Sequence, residues 1–141
     1  IILKMSLSAN TIKIVKATAP VVGAHSREIT NLFYKTMFAK NPEVLAFFNK
    51  ANQTEGRQQQ ALANAVVAYA TNIDNLGVLG DAVKLMASKH CGLQVLPEHY
   101  GIVHSNLMNA VGEVLGDAVT PEIGEAWSEC VCAISCRYFD W

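Results

Sequence analysis

A histidine continues an apolar helix face in the second half of the chain. Leu79, Val83, Met86 and His90 are spaced i, i+4, i+7 and i+11, so in a helix their side chains share one face. An imidazole at the end of such a face is either hydrogen-bonded in the core or bound to a metal ion. No histidine or carboxylate lies three or four residues from His90, which excludes a zinc site of the HExxH type.

Haem iron is the metal that a lone axial imidazole suits. The porphyrin supplies four nitrogen ligands, so the protein adds one imidazole and apolar walls. The sequence has no CxxCH motif, so we expect any haem to be bound non-covalently. A core histidine without a metal remains the alternative interpretation of His90.

A gas molecule bound to such an iron would need a hydrogen-bond donor on the opposite face of the haem. Two pairs of residues with helical i, i+4 spacing could provide one. Gln58 and Leu62 are four residues apart and would place an amide beside an aliphatic side chain. Tyr34 precedes Phe38 by four residues among apolar positions, and a buried tyrosine hydroxyl needs a hydrogen-bond partner. The alternative is that Tyr34 is a core tyrosine bonded to the backbone, and that Gln58 is a solvated residue of a first helical turn.

The other polar residues give weaker signals. His25, His99 and His104 lie near helix ends or beside polar residues, and we expect them to be solvated. Glu113 and Asp117 form an isolated i, i+4 acidic pair near a helix end, and we expect it to be solvated too. The motifs GxSxG, GxxxxGK[ST] and GxGxxG are absent, so the sequence predicts no nucleophile elbow and no phosphate-binding loop.

Four cysteines, Cys91, Cys130, Cys132 and Cys136, match no zinc-ligand spacing. On a helix Cys132 and Cys136 share a face while Cys130 points elsewhere. No secretory signal supports a disulfide framework. The pattern favours reduced cysteines packed as small hydrophobic residues, with a redox or intermolecular role as the alternative.

Helices are the elements that must position these residues. Apolar side chains recur at i, i+3 and i+4 through most of the chain, which predicts an all-α domain of six or seven helices. The predicted helices cover approximately residues 9–24, 26–38, 42–48, 57–72, 78–90, 97–115 and 121–138.

Capping residues support these boundaries. Ser8 is placed to cap the first helix, in which we expect Pro20 to cause a kink or a break. Asn41-Pro42-Glu43 and Thr120-Pro121-Glu122 each combine a cap, a proline and a first-turn acid. Residues 49–56 are polar without an apolar period, which predicts a loop.

Composition limits the class of protein. The chain has 141 residues and a mass of 15.3 kDa, with 51% apolar and 16% charged residues. These values predict one domain over 1–141, with residues 1–6 as an extension. A net charge of −1 gives no basic surface for nucleic acid. No apolar stretch reaches the ~20 residues of a membrane span, and no signal peptide is evident, so we expect a cytoplasmic protein.

Many short stretches occur in an order and spacing typical of one family. They are Thr11-Ile12, Val15-Lys16-Ala17-Thr18, Phe33-Tyr34, Met37-Phe38, Asn41-Pro42-Glu43, Phe48-Asn49, Ala61-Leu62, Asn72-Ile73-Asp74-Asn75-Leu76, Lys89-His90, Glu98-His99-Tyr100-Gly101-Ile102-Val103, Glu113-Val114-Leu115-Gly116-Asp117-Ala118 and Glu125-Ala126-Trp127. In these stretches the chain resembles the globin module of bacterial flavohaemoglobins and the single-domain bacterial haemoglobins. The resemblance covers about residues 7–127, and more weakly the residues beyond. It implies a three-over-three globin fold with a non-covalent b-type haem.

The resemblance also implies a role for each candidate residue. His90 matches the proximal ligand of the haem iron, Phe48 the aromatic residue that packs flat on the porphyrin, and Tyr100 a tyrosine beside the proximal histidine. On the distal side, Tyr34 matches the tyrosine that donates to bound O2. Gln58 and Leu62 match the other distal residues of that family.

Two departures from the family modify these expectations. Flavohaemoglobins carry FAD- and NAD-binding modules after the globin, whereas this sequence ends at Trp141, so we expect a separate reductase to supply electrons. The family also places a glutamate late in its last helix, next to the proximal histidine, and residues 136–141 include no glutamate. The sequence therefore does not predict the strongly electron-donating proximal side that such a carboxylate gives.

Two functions follow from the resemblance. The first is reversible binding of O2 for storage or delivery, with NO and CO as further ligands, by a monomer or homodimer. The second is nitric oxide dioxygenase activity when a partner supplies electrons, as in the globin domain of a flavohaemoglobin. A haem-based gas or redox sensor is the alternative, suggested by Cys91 directly after His90.

Overall fold

The computed structural model describes residues 7–47, 56–75 and 97–139, and within these ranges the regular structure is entirely helical. The elements are α1 (Ala9–Ala24), α2 (Ser26–Lys40), a 3-10 helix (Pro42–Phe47), α3 (Arg57–Thr71), α4 (Pro97–Leu115), a 3-10 turn (Gly116–Ala118) and α5 (Pro121–Phe139). The all-α prediction is confirmed. The predicted helix over 78–90 and the loop over 49–55 lie outside the described residues.

The first helix begins as the sequence predicts but does not break at its proline. The Ser8 side chain caps α1 by accepting a hydrogen bond from the Thr11 N–H at 3.1 Å. Pro20 lies inside a helix that continues to Ala24, so the predicted break is wrong. Val15 and Val22, on either side of Pro20, are both buried in the core. This packing on both sides offsets the single backbone hydrogen bond that proline removes.

The two other helix starts lie where the sequence places them. The 3-10 helix begins directly after Asn41, and its first backbone hydrogen bond runs from the Val44 N–H to the Asn41 carbonyl at 3.1 Å. At the start of α5 the Thr120 hydroxyl caps the helix by accepting from the Ile123 N–H at 3.3 Å. This side-chain contact satisfies a backbone N–H that a helix terminus otherwise leaves unpaired.

Helix α2 lies at the centre of the packing. It contacts both α3 and α4, while α1 packs on α3 and α5, and α4 packs on α5. The largest fully buried side chains include Phe33 and Met37 on α2. Burying side chains of this size stabilises the fold by roughly 1.5–3 kcal/mol each. The core therefore fixes α2 relative to the helices on either side of it.

Polar contacts between helices secure the other side of the molecule. The buried Trp127 indole on α5 donates to the Thr18 hydroxyl on α1 at 2.8 Å, and that hydroxyl donates to the Ile14 carbonyl at 2.7 Å. The Thr11 hydroxyl donates to Glu129 at 2.7 Å. These bonds hold α1 against α5. The candidate site lies at a different interface, between α2 and α3.

Candidate functional site

A tyrosine and a glutamine meet between α2 and α3. Tyr34 lies on α2 with 4% of its surface exposed, and Gln58 lies half-buried in the first turn of α3. Their side chains are joined by a hydrogen bond. Gln58 is therefore more than a solvated first-turn residue, since its side chain contacts the buried tyrosine while remaining partly exposed.

Burial keeps the Tyr34 hydroxyl protonated. Desolvation raises the pKa of Tyr34 to about 12, and the hydrogen bond with Gln58 lowers it by less. The phenol is therefore neutral throughout the physiological range and retains its proton as a hydrogen-bond donor. A neutral donor in a site poor in water interacts more strongly with a partial negative charge than it would in bulk water.

Aromatic neighbours hold the Tyr34 ring. The Phe33 ring lies 4.7 Å from it, centroid to centroid, at an interplanar angle of 63°, and the Phe38 ring lies 5.8 Å away at 36°. The Phe33 contact is edge-to-face, a geometry that stabilises a ring beyond its buried area, and the Phe38 ring is tilted. The orientation of the hydroxyl is thus set by packing on α2 as well as by Gln58.

Of the remaining predicted site residues, two lie within the described ranges and two lie outside them. Leu62 follows Gln58 by one turn on α3 and packs against the core. Tyr100 lies half-buried in the first turn of α4, a helix that packs on α2. His90 and Phe48, predicted to lie on the haem, are outside the described residues. The structure therefore brings together Tyr34 and Gln58, two of the residues predicted to be distal, and both the distal and the proximal assignments stay predictions.

An arginine that the sequence analysis does not single out contacts the start of α3. The Arg27 guanidinium on α2 donates to the Gln60 side chain at 2.6 Å, and its Nε donates to Asn31 at 3.3 Å. Gly56, which precedes α3, has a φ of +76°, and the Arg27 Nη2 atom occupies the space that a Cβ there would need. A sequence signal did exist, since Arg27 precedes Tyr34 by seven residues and so shares its helical face.

Two expectations about single residues change. His104 is half-buried, and its Nε2 lies 3.0 Å from the Ser128 hydroxyl on α5, so the expectation that it is solvated is wrong. Cys130 is buried as expected, and burial raises the pKa of its thiol to about 12. Cys132, in contrast, is exposed rather than packed in the core.

Two general features of the described ranges bear on function. None of the helices there is long and apolar enough to cross a membrane. No group of three or more histidine, cysteine, aspartate or glutamate side chains within the described part of the chain is arranged to hold a metal ion.

Comparisons with known proteins point to one family. Residues 31–136 match the globin family. A flavohemoprotein of Rhodopirellula baltica is 58% identical over 123 residues, which are 87% of this chain and 30% of that relative. A bacterial globin from Campylobacter jejuni has a TM-score of 0.86 and 34% identity, with 94% of each chain covered.

A longer solved relative shows the same likeness. A flavohemoglobin from Malassezia yamatoensis, solved with bound FAD and heme, has a TM-score of 0.87 and 30% identity. The superposition covers 95% of this chain and 36% of that protein. This chain thus spans about a third of the flavohemoprotein and flavohemoglobin relatives that it matches.

Proposed function

Because this chain belongs to the globin family, as the globin module of flavohaemoglobins, we propose that it binds a b-type haem and, with it, O2, NO and CO. The observation that carries the proposal is the hydrogen-bonded pair of Tyr34 and Gln58 between α2 and α3. A bound haem would supply the iron that takes up the gas. The chain's own residues would decide how tightly the gas is held.

The described residues fit such a group. The distal side needs a hydrogen-bond donor beside apolar walls, and the buried Tyr34 hydroxyl, the Gln58 amide and the Leu62 side chain provide both. The proximal side needs one imidazole and a flat aromatic contact, for which we propose His90 and Phe48 on the basis of the family resemblance.

Tyr34 would act as the hydrogen-bond donor to the gas. O2 bound in a haem site carries partial negative charge, whereas CO carries little, so a neutral phenol would stabilise O2 in preference to CO. A hydrogen bond to a partly charged acceptor contributes about 1.5–3 kcal/mol. Gln58 would orient the hydroxyl through their shared hydrogen bond.

Nitric oxide dioxygenase activity is the enzymatic form of this proposal. One NO, one O2 and one electron give one nitrate ion, so each turnover consumes an electron that must come from a reductase. The resemblance of the sequence to the globin module of flavohaemoglobins supports this activity beside O2 storage. The electron donor would be a separate flavin reductase or a reductase module joined to the globin.

The test is spectroscopic first and kinetic second. Purified protein loaded with haem should show a globin absorption spectrum that shifts reversibly with O2 and CO. NO consumption in the presence of O2 should continue for many turnovers with a flavin reductase and NADH, and should stop near one turnover without them. Absence of stoichiometric haem binding would overturn the whole proposal. Single-turnover NO consumption with the reductase present would overturn the enzymatic part.

A haem-based gas or redox sensor stays the alternative. It depends on Cys91 beside the predicted haem ligand His90, and both residues lie outside the described ranges.

A further inference from the structure

Gln58 lies in a helical turn that has little local support. Gly56 precedes α3 and has no side chain with which to cap it, and the first turn has no acidic residue. Arg57 adds a positive charge at the helix end where the backbone dipole favours a negative one. The placement of Gln58 therefore depends on contacts from outside α3.

Arg27 provides such a contact from α2. Its guanidinium donates to the side-chain oxygen Oε1 of Gln60 at 2.6 Å, and the side-chain Nε2 of Gln60 donates in turn to Asn64 Oδ1 at 2.8 Å. The Arg27 Nη2 atom also lies against Gly56, in the space that any larger residue would fill. The first backbone hydrogen bond of α3 runs from the Gln60 N–H to the Gly56 carbonyl at 3.1 Å, so Arg27 contacts both residues that this bond joins.

We propose that Arg27 is a positioning residue that fixes the first turn of α3 and thereby holds Gln58 against Tyr34. We call the contacts of Arg27 with Gln60 and Gly56 the clamp. Arg27 and Tyr34 lie seven residues apart on one face of α2, so one helix carries both the clamp and the donor hydroxyl. The effect of Arg27 on ligand binding rests on the proposed function. The effect of Arg27 on the order of the first turn of α3 is independent of that function.

Arg27→Met removes the guanidinium and keeps much of the aliphatic stem. Since Arg27 is exposed, the variant should fold and retain its haem. Amide hydrogen exchange at residues 60–62 should become several-fold faster, because the first turn of α3 would open more often. The O2 dissociation rate should rise by roughly two- to fivefold, as expected when a neutral hydrogen bond is weakened rather than removed.

The opposite end of α3 offers a matched control. Lys16 pairs with Asp74 at 2.6 Å, just after the last turn of α3, and is also exposed. Lys16→Met therefore removes a comparable interhelical contact without approaching Gln58. It should leave exchange at residues 60–62 and the O2 dissociation rate unchanged.

Two further variants separate positioning from a general loss of stability. Arg27→Lys keeps a donor and should recover part of the wild-type O2 dissociation rate. In a Gln58→Leu background, Arg27→Met should have no additional effect on that rate, since the residue it positions is gone. A full additional effect in that background would overturn the inference.

Hydrogen exchange distinguishes this inference from the proposed function. If Arg27→Met and Lys16→Met show the same exchange at residues 60–62, the clamp does not exist, even when haem and O2 bind as proposed. If exchange rises as expected but no variant binds haem, the clamp stands and the proposed function is wrong.

Discussion

The hydroxyl of Tyr34 and the side-chain amide of Gln58 share a hydrogen bond across the interface of α2 and α3. The two residues are on different helices, and the tyrosine is buried while the glutamine is half-buried. A buried phenol paired with an amide is a donor with a defined direction.

Gln58→Leu should weaken O2 binding less than loss of the tyrosine hydroxyl does. Removing the amide leaves Tyr34 able to donate but no longer oriented, so we expect the O2 dissociation rate to rise by about two- to tenfold. Stopped-flow measurement of O2 and CO dissociation provides the test, with CO as the internal control. A CO rate that changes as much as the O2 rate would show that the substitution acts through packing.

His90→Ala should remove most of the haem. The imidazole is the predicted ligand of the iron, and without the haem a large apolar cavity would destabilise the fold. Haem content by absorbance and helicity by circular dichroism should both fall. Unchanged haem content in this variant would rule out His90 as the proximal ligand.

Stability should fall at alkaline pH. The folded state holds the pKa of Tyr34 at about 12 and that of Cys130 at about 12, against ordinary values of 10.0 and 9.0. The unfolded chain therefore loses these protons at lower pH than the folded chain does. The contribution of these two groups to the free energy of unfolding is fully present below pH 9 and is lost as the pH rises towards 12.

The Tyr34 part of this loss amounts to about 2 kcal/mol at pH 12. Free energies of unfolding measured in urea at pH 8, 10 and 11 check it. Tyr34→Phe should flatten the curve between pH 10 and 11, and Cys130→Ala should flatten it between pH 9 and 11. Curves parallel to that of the wild type would mean that both groups titrate normally.

Trp127→Phe should destabilise the contact between α1 and α5. The substitution removes the indole donor to Thr18 and some buried volume, and we expect a loss of about 1–3 kcal/mol in the free energy of unfolding. A double-mutant cycle with Thr18→Val isolates the hydrogen bond. An interaction energy near zero in that cycle would show that packing alone accounts for the cost.

Local patterns in the sequence predict most of the fold. Ser8, Pro42 and Thr120 each mark a helix start that the structure has, because caps act within a few residues. The predicted bounds of α1 match the structure, and only a break at Pro20 is wrong, since local sequence does not show that Val15 and Val22 anchor the helix on both sides of the proline. Packing between helices therefore keeps α1 continuous through Pro20.

The site is harder to predict from local pattern. Periodicity places Tyr34 and Gln58 on two separate helices but gives no distance between them, and the family resemblance was needed to pair them. Arg27 was missed because a surface arginine is usually solvated, and its contact with Gly56 arises from how α2 and α3 cross. His104 was assigned to solvent for the same reason, although α5 covers it.

The O2 dissociation rate of Tyr34→Phe, compared with the wild type, tests the central claim most directly. The variant keeps the ring and its contacts with Phe33 and Phe38, so haem content and fold should be unchanged. A lost hydrogen bond of about 1.5–3 kcal/mol corresponds to dissociation that is roughly ten- to a hundredfold faster, with little change for CO. An O2 dissociation rate within about twofold of the wild type would show that Tyr34 packs the core and does not hold the ligand.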